Sequence, residues 1–222
     1  MDLLKYKTIV IKIGSSLIVD GKNKVKENWF NKLIDDIQFL IKKNKEIIIV
    51  SSGAIALGCD LLKINKKNTK LSQFQAIAAI GQIELINLFK KAFERKKIKI
   101  SQILLTLEDT EERRRSLNAK ETINNLLKMS VVPIVNENDT VATSEIRYGD
   151  NDRLAARVAQ ICNAGCLIML SDIDGLYSSD PKKDKSAKII KKVKFIDKSI
   201  EALASKSVSS YGTGGMITKI KA

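Results

Sequence analysis

Short apolar runs alternate with longer amphipathic segments along the whole chain. The apolar runs are rich in Val, Ile and Leu, and they span residues 7–13, 46–50, 98–106, 131–135 and 166–170. Between them, apolar residues recur at helical spacing; in residues 28–43 they are Phe30, Leu33, Ile34, Ile37, Leu40 and Ile41. Strands that are nearly continuous in apolar residues are typical of a parallel sheet with both faces covered. The pattern therefore predicts an α/β fold with a mainly parallel central sheet between helices.

The same pattern predicts the remaining elements. Further helices are expected at residues 54–62, 72–95, 116–129, 151–162 and 199–204, and a short strand at 189–193. Gly81 lies inside the second of these helices, where a glycine predicts a close contact with a neighbouring element. No internal repeat and no low-complexity linker interrupts the chain, so we expect a single domain.

Small and polar residues follow the predicted strands. These loops are Gly14-Ser15-Ser16, Ser51-Ser52-Gly53, residues 136–150, residues 171–181 and the final glycine-rich segment 212–215. In parallel α/β sheets, ligands bind in the loops beyond the carboxyl ends of the strands. The sequence therefore predicts a ligand site formed by these loops.

Several of the loops have features of a phosphate site. Lys12 ends an apolar strand next to Gly14, where the backbone can approach a ligand, and Lys219 follows the glycine-rich segment. Small residues at Ser52 and Gly53 precede a helix whose first amides could face an anion. Each feature has an ordinary alternative, namely a solvent-exposed lysine, a serine helix cap or a plain turn. The spacing does not match the Walker A motif.

Composition limits the chemistry further. The chain has no histidine, which excludes a Ser-His-Asp triad and histidine-bound zinc and favours chemistry based on positioning and charge. Its three cysteines, in apolar surroundings, are expected to be reduced and buried. The net charge of +14 suits an anionic small substrate better than nucleic acid, because aromatic residues make up only 5% of the chain. Neither a membrane-spanning run nor a secretory signal is recognisable, so we expect a cytoplasmic protein.

Seven motifs occur in an order that resembles one family. They are KIGSS, VSSGAIALG, AAIGQ, VVPIVNENDTV, YGDND, LSDIDGLYSSDP and GTGGMITK. In this order they are similar to the motifs of the glutamate 5-kinases (gamma-glutamyl kinases) of the amino acid kinase superfamily. The resemblance extends from about residue 7 to the last residue, and it implies the amino acid kinase (carbamate kinase-like) fold. It further implies an amino-acid substrate lobe over about residues 1–160 and a nucleotide lobe over about residues 161–222.

The resemblance also implies a reaction and the residues that perform it. Glutamate would be phosphorylated on its side-chain carboxylate by ATP with Mg²⁺, in the first step of proline synthesis, without a metal site built by the protein. Lys12, Asp152 and Lys219 would be catalytic, with Asp152 orienting the two lysines. Glutamate would be bound by Ser52, Gly53, Asn136, Asp139 and Asn151. The nucleotide would be bound by Lys12, Gly14, Ser171, Asp172, Thr213, Gly214, Gly215, Met216, Ile217, Thr218 and Lys219.

Partners are implied in the same way. They are glutamate and ATP, proline as a feedback inhibitor, identical subunits in a dimer or tetramer, and the reductase that consumes glutamyl phosphate. Many members of the family carry a C-terminal RNA-binding-like (PUA) domain, whereas we expect here a kinase domain without it that is short at its C-terminus. Three alternatives stay open. One is a related kinase for another carboxylate, and another is a sensor that binds glutamate, proline or ATP without turnover. The third is a basic nucleic-acid binder, which an affinity that falls steeply with salt would support.

Overall fold

The computed structural model describes residues 2–64, 70–142, 151–181, 183–205 and 215–222 of the chain. Strands and helices alternate through most of this length, as the apolar pattern predicts. In chain order the elements are a 3₁₀ turn (Leu3–Lys5), β1 (Thr8–Ile13), α1 (Ser15–Ile18), α2 (Glu27–Lys42), β2 (Glu46–Ser51), α3 (Ala54–Leu62), α4 (Leu71–Glu94), β3 (Lys99–Leu105), α5 (Leu107–Glu111), α6 (Arg113–Lys128), β4 (Val131–Glu137), α7 (Asn151–Ile161), β5 (Cys166–Leu170), α8 (Lys198–Ser205) and α9 (Met216–Lys221).

The five strands form one sheet in the order β3-β4-β2-β1-β5, and every neighbouring pair is parallel. The predicted parallel sheet is therefore confirmed. Strand β1 lies between β2 and β5, with Lys12 beside Val50 on one side and Met169 on the other. Because β1 is an interior strand, Lys12 is not a solvent-exposed lysine of an edge strand. Parallel strands end at the same edge, so the carboxyl ends of β1, β2 and β4 lie together.

Helices cover both faces of the sheet. Successive side chains of a strand point to opposite faces, so a strand that is apolar throughout makes both faces apolar. On one face, Ile9 and Ile11 pack in a core with Phe30 of α2 and Phe89 of α4. The two phenylalanine rings meet edge to face, with their centroids 5.0 Å apart. On the other face, Val10 belongs to a second core. The helical members of that second core are Ala119 and Ile123 of α6 and Leu154, Ala155 and Val158 of α7.

Helices α3 and α4 pack unusually close together at Gly81. A Cβ atom on Gly81 would lie 1.8 Å from the carbonyl oxygen of Ala54, which is far inside van der Waals contact. The predicted close contact at this glycine is confirmed. Ala54 is the first residue of α3, so the contact brings the middle of α4 beside the end of β2.

Two details of the prediction were wrong. Residues 189–193 form no strand; only an isolated antiparallel bridge joins Tyr177 and Ile189, with Ile190 donating a hydrogen bond to the Leu176 carbonyl. A strand requires a continuous ladder with a neighbour, and this segment has a single bridge. Helix α6 begins at Arg113 rather than Ser116, because the Glu112 carboxylate accepts hydrogen bonds from the amides of Arg114 and Arg115.

The three cysteines are free and buried, as predicted. Among the described residues, none of the helices combines the length and the apolarity that a bilayer crossing requires.

Candidate active site

Buried polar side chains gather where the strands end. Within the described ranges, six of the eight buried polar or charged residues lie at the ends of β1, β2 and β4 or on the first turn of α7. Charged and amide side chains are seldom buried unless they are paired. Their concentration here distinguishes this edge from the rest of the core. The six residues are Lys12, Ser51, Asn136, Glu137, Asn151 and Asp152.

The charged part of the site is built around Asp152 of α7. Its Oδ1 lies 2.6 Å from Lys12 Nζ, and its Oδ2 lies 3.0 Å from Lys219 Nζ of α9. The hydroxyl of Thr218 also lies 3.0 Å from Oδ2. Burial alone would raise the pKa of Asp152, but the attraction of Lys12 and Lys219 and their hydrogen bonds outweigh it and lower that pKa. Asp152 is therefore ionised near neutral pH and holds the two ammonium groups in place.

This cluster carries a net positive charge, because two lysines share one carboxylate. An ammonium group can donate three hydrogen bonds, so the contact with Asp152 accounts for only part of the donor capacity of each lysine. Two ammonium groups held by a common carboxylate are suited to bind the oxygens of a phosphoryl group from two directions.

A neutral cluster of amides adjoins the charged one. Asn151, the first residue of α7, places its Nδ2 2.8 Å from the Ser51 carbonyl oxygen, 2.8 Å from Ser52 Oγ and 3.0 Å from Asn136 Oδ1. Asn136 Nδ2 in turn donates to Gln82 Oε1 at 2.7 Å. The Oδ1 atom of Asn151 is buried and has no hydrogen-bond partner within the part of the chain that the structure describes. A ligand with an N–H or O–H donor would satisfy this acceptor.

The loop after β4 supplies a carboxylate that is close in sequence to Asn136 of the amide cluster. Asp139 is half-buried three residues beyond Asn136, and desolvation raises its pKa to about 6. Its loop is tied to α4, because Gln75 Nε2 donates to the carbonyl of Ala142 at 3.0 Å. A carboxylate that is partly removed from water gains by pairing with a cation, such as the ammonium group of an amino acid.

The described residues among those predicted to bind the nucleotide lie near the ends of β1 and β5 and on α9. A Cβ on Gly14 would lie 3.6 Å from the Leu170 carbonyl oxygen and 3.9 Å from Lys12 Nζ, so Gly14 adjoins both Lys12 and the end of β5. Ser171 and Asp172 directly follow β5. On the other side, Gly215 caps α9, which contains Met216, Ile217, Thr218 and Lys219. Thr213 and Gly214 lie outside the described residues, as do Glu145 and Asp150 of the loop before α7.

The structure thus brings together Lys12, Asp152 and Lys219 in one cluster, and Ser52, Asn136 and Asn151 in another. Gly53 adjoins the second cluster and has a φ of +118°, a backbone conformation that favours glycine. Gln82 was not among the predicted site residues. It is the last residue of the AAIGQ motif, but a glutamine on an amphipathic helix has no pattern that separates it from a solvated residue.

Comparison with known proteins gives a consistent result. The sequence model of the Amino acid kinase family matches residues 7–222. A glutamate 5-kinase of Pelagibacter ubique is 64% identical over 222 residues, which are all of this chain and 60% of that protein. Glutamate 5-kinase 1 of Mesorhizobium japonicum and the glutamate 5-kinase of Bartonella henselae are each 54% identical over 220 residues, covering 99% of this chain and 58% of each protein. The chain thus spans about 60% of the length of the curated relatives it matches.

Proposed function

Since this chain belongs to the amino acid kinase family, we propose that it phosphorylates the side-chain carboxylate of L-glutamate with ATP to form glutamyl 5-phosphate, the first step of proline synthesis. One observation carries the proposal. Consecutive residues of α7, Asn151 and Asp152, join an amide cluster suited to an amino acid to a lysine pair suited to a phosphoryl group. An amino acid bound by the first cluster would lie next to a phosphate held by the second.

The chemistry needs no general base, because the side-chain carboxylate of glutamate is ionised near neutral pH. One of its oxygens forms a bond to the γ-phosphorus of ATP, while the bond from that phosphorus to the bridging oxygen breaks and ADP leaves. The obstacle is the approach of two anions, and Lys12 and Lys219 oppose it by binding the phosphoryl oxygens. Asp152 fixes both ammonium groups, so that little reorganisation is needed when charge shifts during the reaction.

We assign the amino acid to the other cluster. Asp139 would pair with the ammonium group of glutamate, and the buried Oδ1 of Asn151 would accept from a donor of the substrate. Ser52, Gly53 and Asn136 would complete the set of residues that bind glutamate. The nucleotide would lie across the ends of β1 and β5, near Gly14, Ser171, Asp172 and the residues of α9, with Thr213 and Gly214 contributing from the loop before it.

Mg²⁺ would accompany the phosphates of ATP and neutralise part of their charge. The side chains at the site fit this arrangement, because Asp152 Oδ1 is already ion-paired with Lys12 and Oδ2 accepts hydrogen bonds from Lys219 and Thr218. Nor does the described part of the chain contain a group of three or more potential ligands that could hold a metal. We therefore assign Mg²⁺ to the phosphate oxygens of ATP.

Other properties of the whole protein rest on the family relationship alone. We propose that the protein works in the cytoplasm as a dimer or tetramer and that proline inhibits it. We also propose that a glutamyl phosphate reductase consumes its product.

The test is ATP- and Mg²⁺-dependent formation of glutamyl hydroxamate from glutamate and hydroxylamine. Aspartate and N-acetylglutamate serve as alternative substrates. Lys219→Ala should abolish most of the activity, and Lys221→Ala is the matched control, since Lys221 is an exposed lysine of the same helix. Product with glutamate alone supports the proposal. Preferred turnover of another acid would indicate a related kinase, and ATP binding by folded protein without turnover would indicate a sensor.

A further inference from the structure

Three amide side chains form a line that runs from the end of β2 to the middle of α4. The Ser51 carbonyl oxygen can only accept a hydrogen bond, so Asn151 must face it with Nδ2. The same Nδ2 lies 3.0 Å from Asn136, which must therefore present its oxygen. The Nδ2 of Asn136 then faces the other way and donates to Gln82 Oε1 at 2.7 Å.

The orientation of these amides depends on their partners rather than on their shape. The two ends of a carboxamide group are nearly the same size, so an asparagine can turn by about 180° at little steric cost unless hydrogen bonds hold it. A turned Asn136 would set its Nδ2 against the Nδ2 of Asn151, with a donor facing a donor. Asn136 is 2% exposed, so bulk water is not at hand to replace a lost acceptor.

Gln82 contacts Asn136 because Gly81, the residue before it, allows close packing of the helices. Gly81 lets α4 approach the first turn of α3, and that close packing brings the next residue of α4 near the strand ends. The contact between Gln82 and Asn136 joins residues 54 positions apart in the chain. It is therefore part of the tertiary structure of the site and not a local helix contact.

We propose that Gln82 is a positioning residue for the amino-acid site. Its Oε1 fixes the amide of Asn136, which fixes that of Asn151, so that the buried Oδ1 of Asn151 stays directed to the substrate. Gln82 acts through these two asparagines and does not itself need to contact the substrate. The identity of the substrate in this inference rests on the proposed function, whereas the amide line does not.

Steady-state kinetics provide the first test. Gln82→Met keeps the length of the side chain and removes the acceptor, so KM for glutamate should rise about 10- to 100-fold, as expected for one unsatisfied buried donor. The kcat and the KM for ATP should stay within about threefold, because the lysine cluster is untouched. Gln82→Glu retains an acceptor and should restore most of the affinity. Asn87→Leu, a similarly isosteric change at an exposed position of α4, is the matched control.

The side-chain amide signals of Asn136 and Asn151 in ¹H–¹⁵N spectra of substrate-free protein provide the second test. They should shift in Gln82→Met and remain in place in Asn87→Leu. If Gln82→Met does not fold, Gln82→Lys is used instead; it sets a donor against the donor of Asn136 and should shift the same signals. Unchanged signals in a folded variant would overturn the inference, as would an equal loss of affinity in Gln82→Met and Gln82→Glu. A wild-type chain that makes no hydroxamate would contradict the proposed function, while the amide signals would still decide the role of Gln82.

Discussion

Replacing Asp152 by asparagine should remove the negative charge that Lys12 and Lys219 share. The change keeps the size of the side chain, so its effect comes from electrostatics. The side chain of Lys12 is 9% exposed and that of Asp152 is 3% exposed, so in the variant the ammonium of Lys12 would stay in a buried position without that carboxylate. Lys219 lies on the short helix α9 and can turn outward more easily, since 16% of its side chain is exposed.

The size of the expected loss of stability follows from these exposed fractions. Removing one partner of a buried ion pair costs about 3–5 kcal/mol, and we expect the lower end because one of the two lysines can reach water. A loss of about 3 kcal/mol in a domain of this size lowers Tm by roughly 6–12 °C. The kcat should fall by about 10²- to 10³-fold, because the ammonium groups are no longer held where phosphoryl charge develops.

Urea unfolding at pH 7, compared with Asp36→Asn, measures the loss of stability. Asp36 is an exposed aspartate of α2, so the same chemical change there should alter the free energy of unfolding by less than about 0.5 kcal/mol. The pKa of Asp152 is lowered in the folded state, so its contribution is present above the unfolded pKa and is lost as the pH falls through the folded value. The difference between wild type and Asp152→Asn should therefore shrink below about pH 4. Equal stabilities of the two proteins at pH 7 would refute this account.

Three further predictions follow from the site and the packing beneath it. Lys12→Ala and Lys219→Ala should each lower kcat by about 10²-fold or more with the fold intact, and near-normal turnover in either variant would remove that lysine from the mechanism. The pKa of Asp139 is raised to about 6, so KM for glutamate should rise as the pH falls below that value. Asp139→Asn should abolish this pH dependence; its persistence would assign it to another group. Gly81→Ala should destabilise the fold by about 3 kcal/mol in urea unfolding, since its Cβ would overlap the Ala54 carbonyl oxygen, and a change below about 1 kcal/mol would contradict that packing.

Several buried strands and helices of the fold were predictable because their signal is local. Residues 166–170 and 54–62 have the bounds that the apolar pattern predicts, since small or polar residues flank each run. The segment 189–193 also contains β-branched residues, yet it has no ladder, because a strand also depends on a neighbour elsewhere in the chain. The start of α6 was missed because a run of arginines conceals the cap that Glu112 provides.

The site was predictable to the extent that its residues end strands or begin helices. Lys12, Asn136 and Asp152 lie at such positions, and each belongs to one of the seven motifs. The hydrogen bond between Asn136 and Gln82 could not be predicted, because the spacing of residues along the chain does not indicate a contact between residues 54 positions apart. The raised pKa of Asp139 likewise depends on how deeply its loop is buried, which is a property of the tertiary structure.

The first turn of α7 determines how the two clusters lie relative to each other. Consecutive residues of an α-helix project about 100° apart, so Asn151 can bond to the ends of β2 and β4 while Asp152 pairs with Lys12 of β1. The amino acid and the phosphoryl group would then be held by adjacent residues of one rigid element. Such an arrangement would help to align the reacting atoms, and alignment of this kind is among the largest contributions to the rate of a two-substrate reaction. A change that reorients α7 should therefore affect glutamate binding and phosphoryl transfer together, whereas changes at Gln82 or Lys219 should affect only one of them.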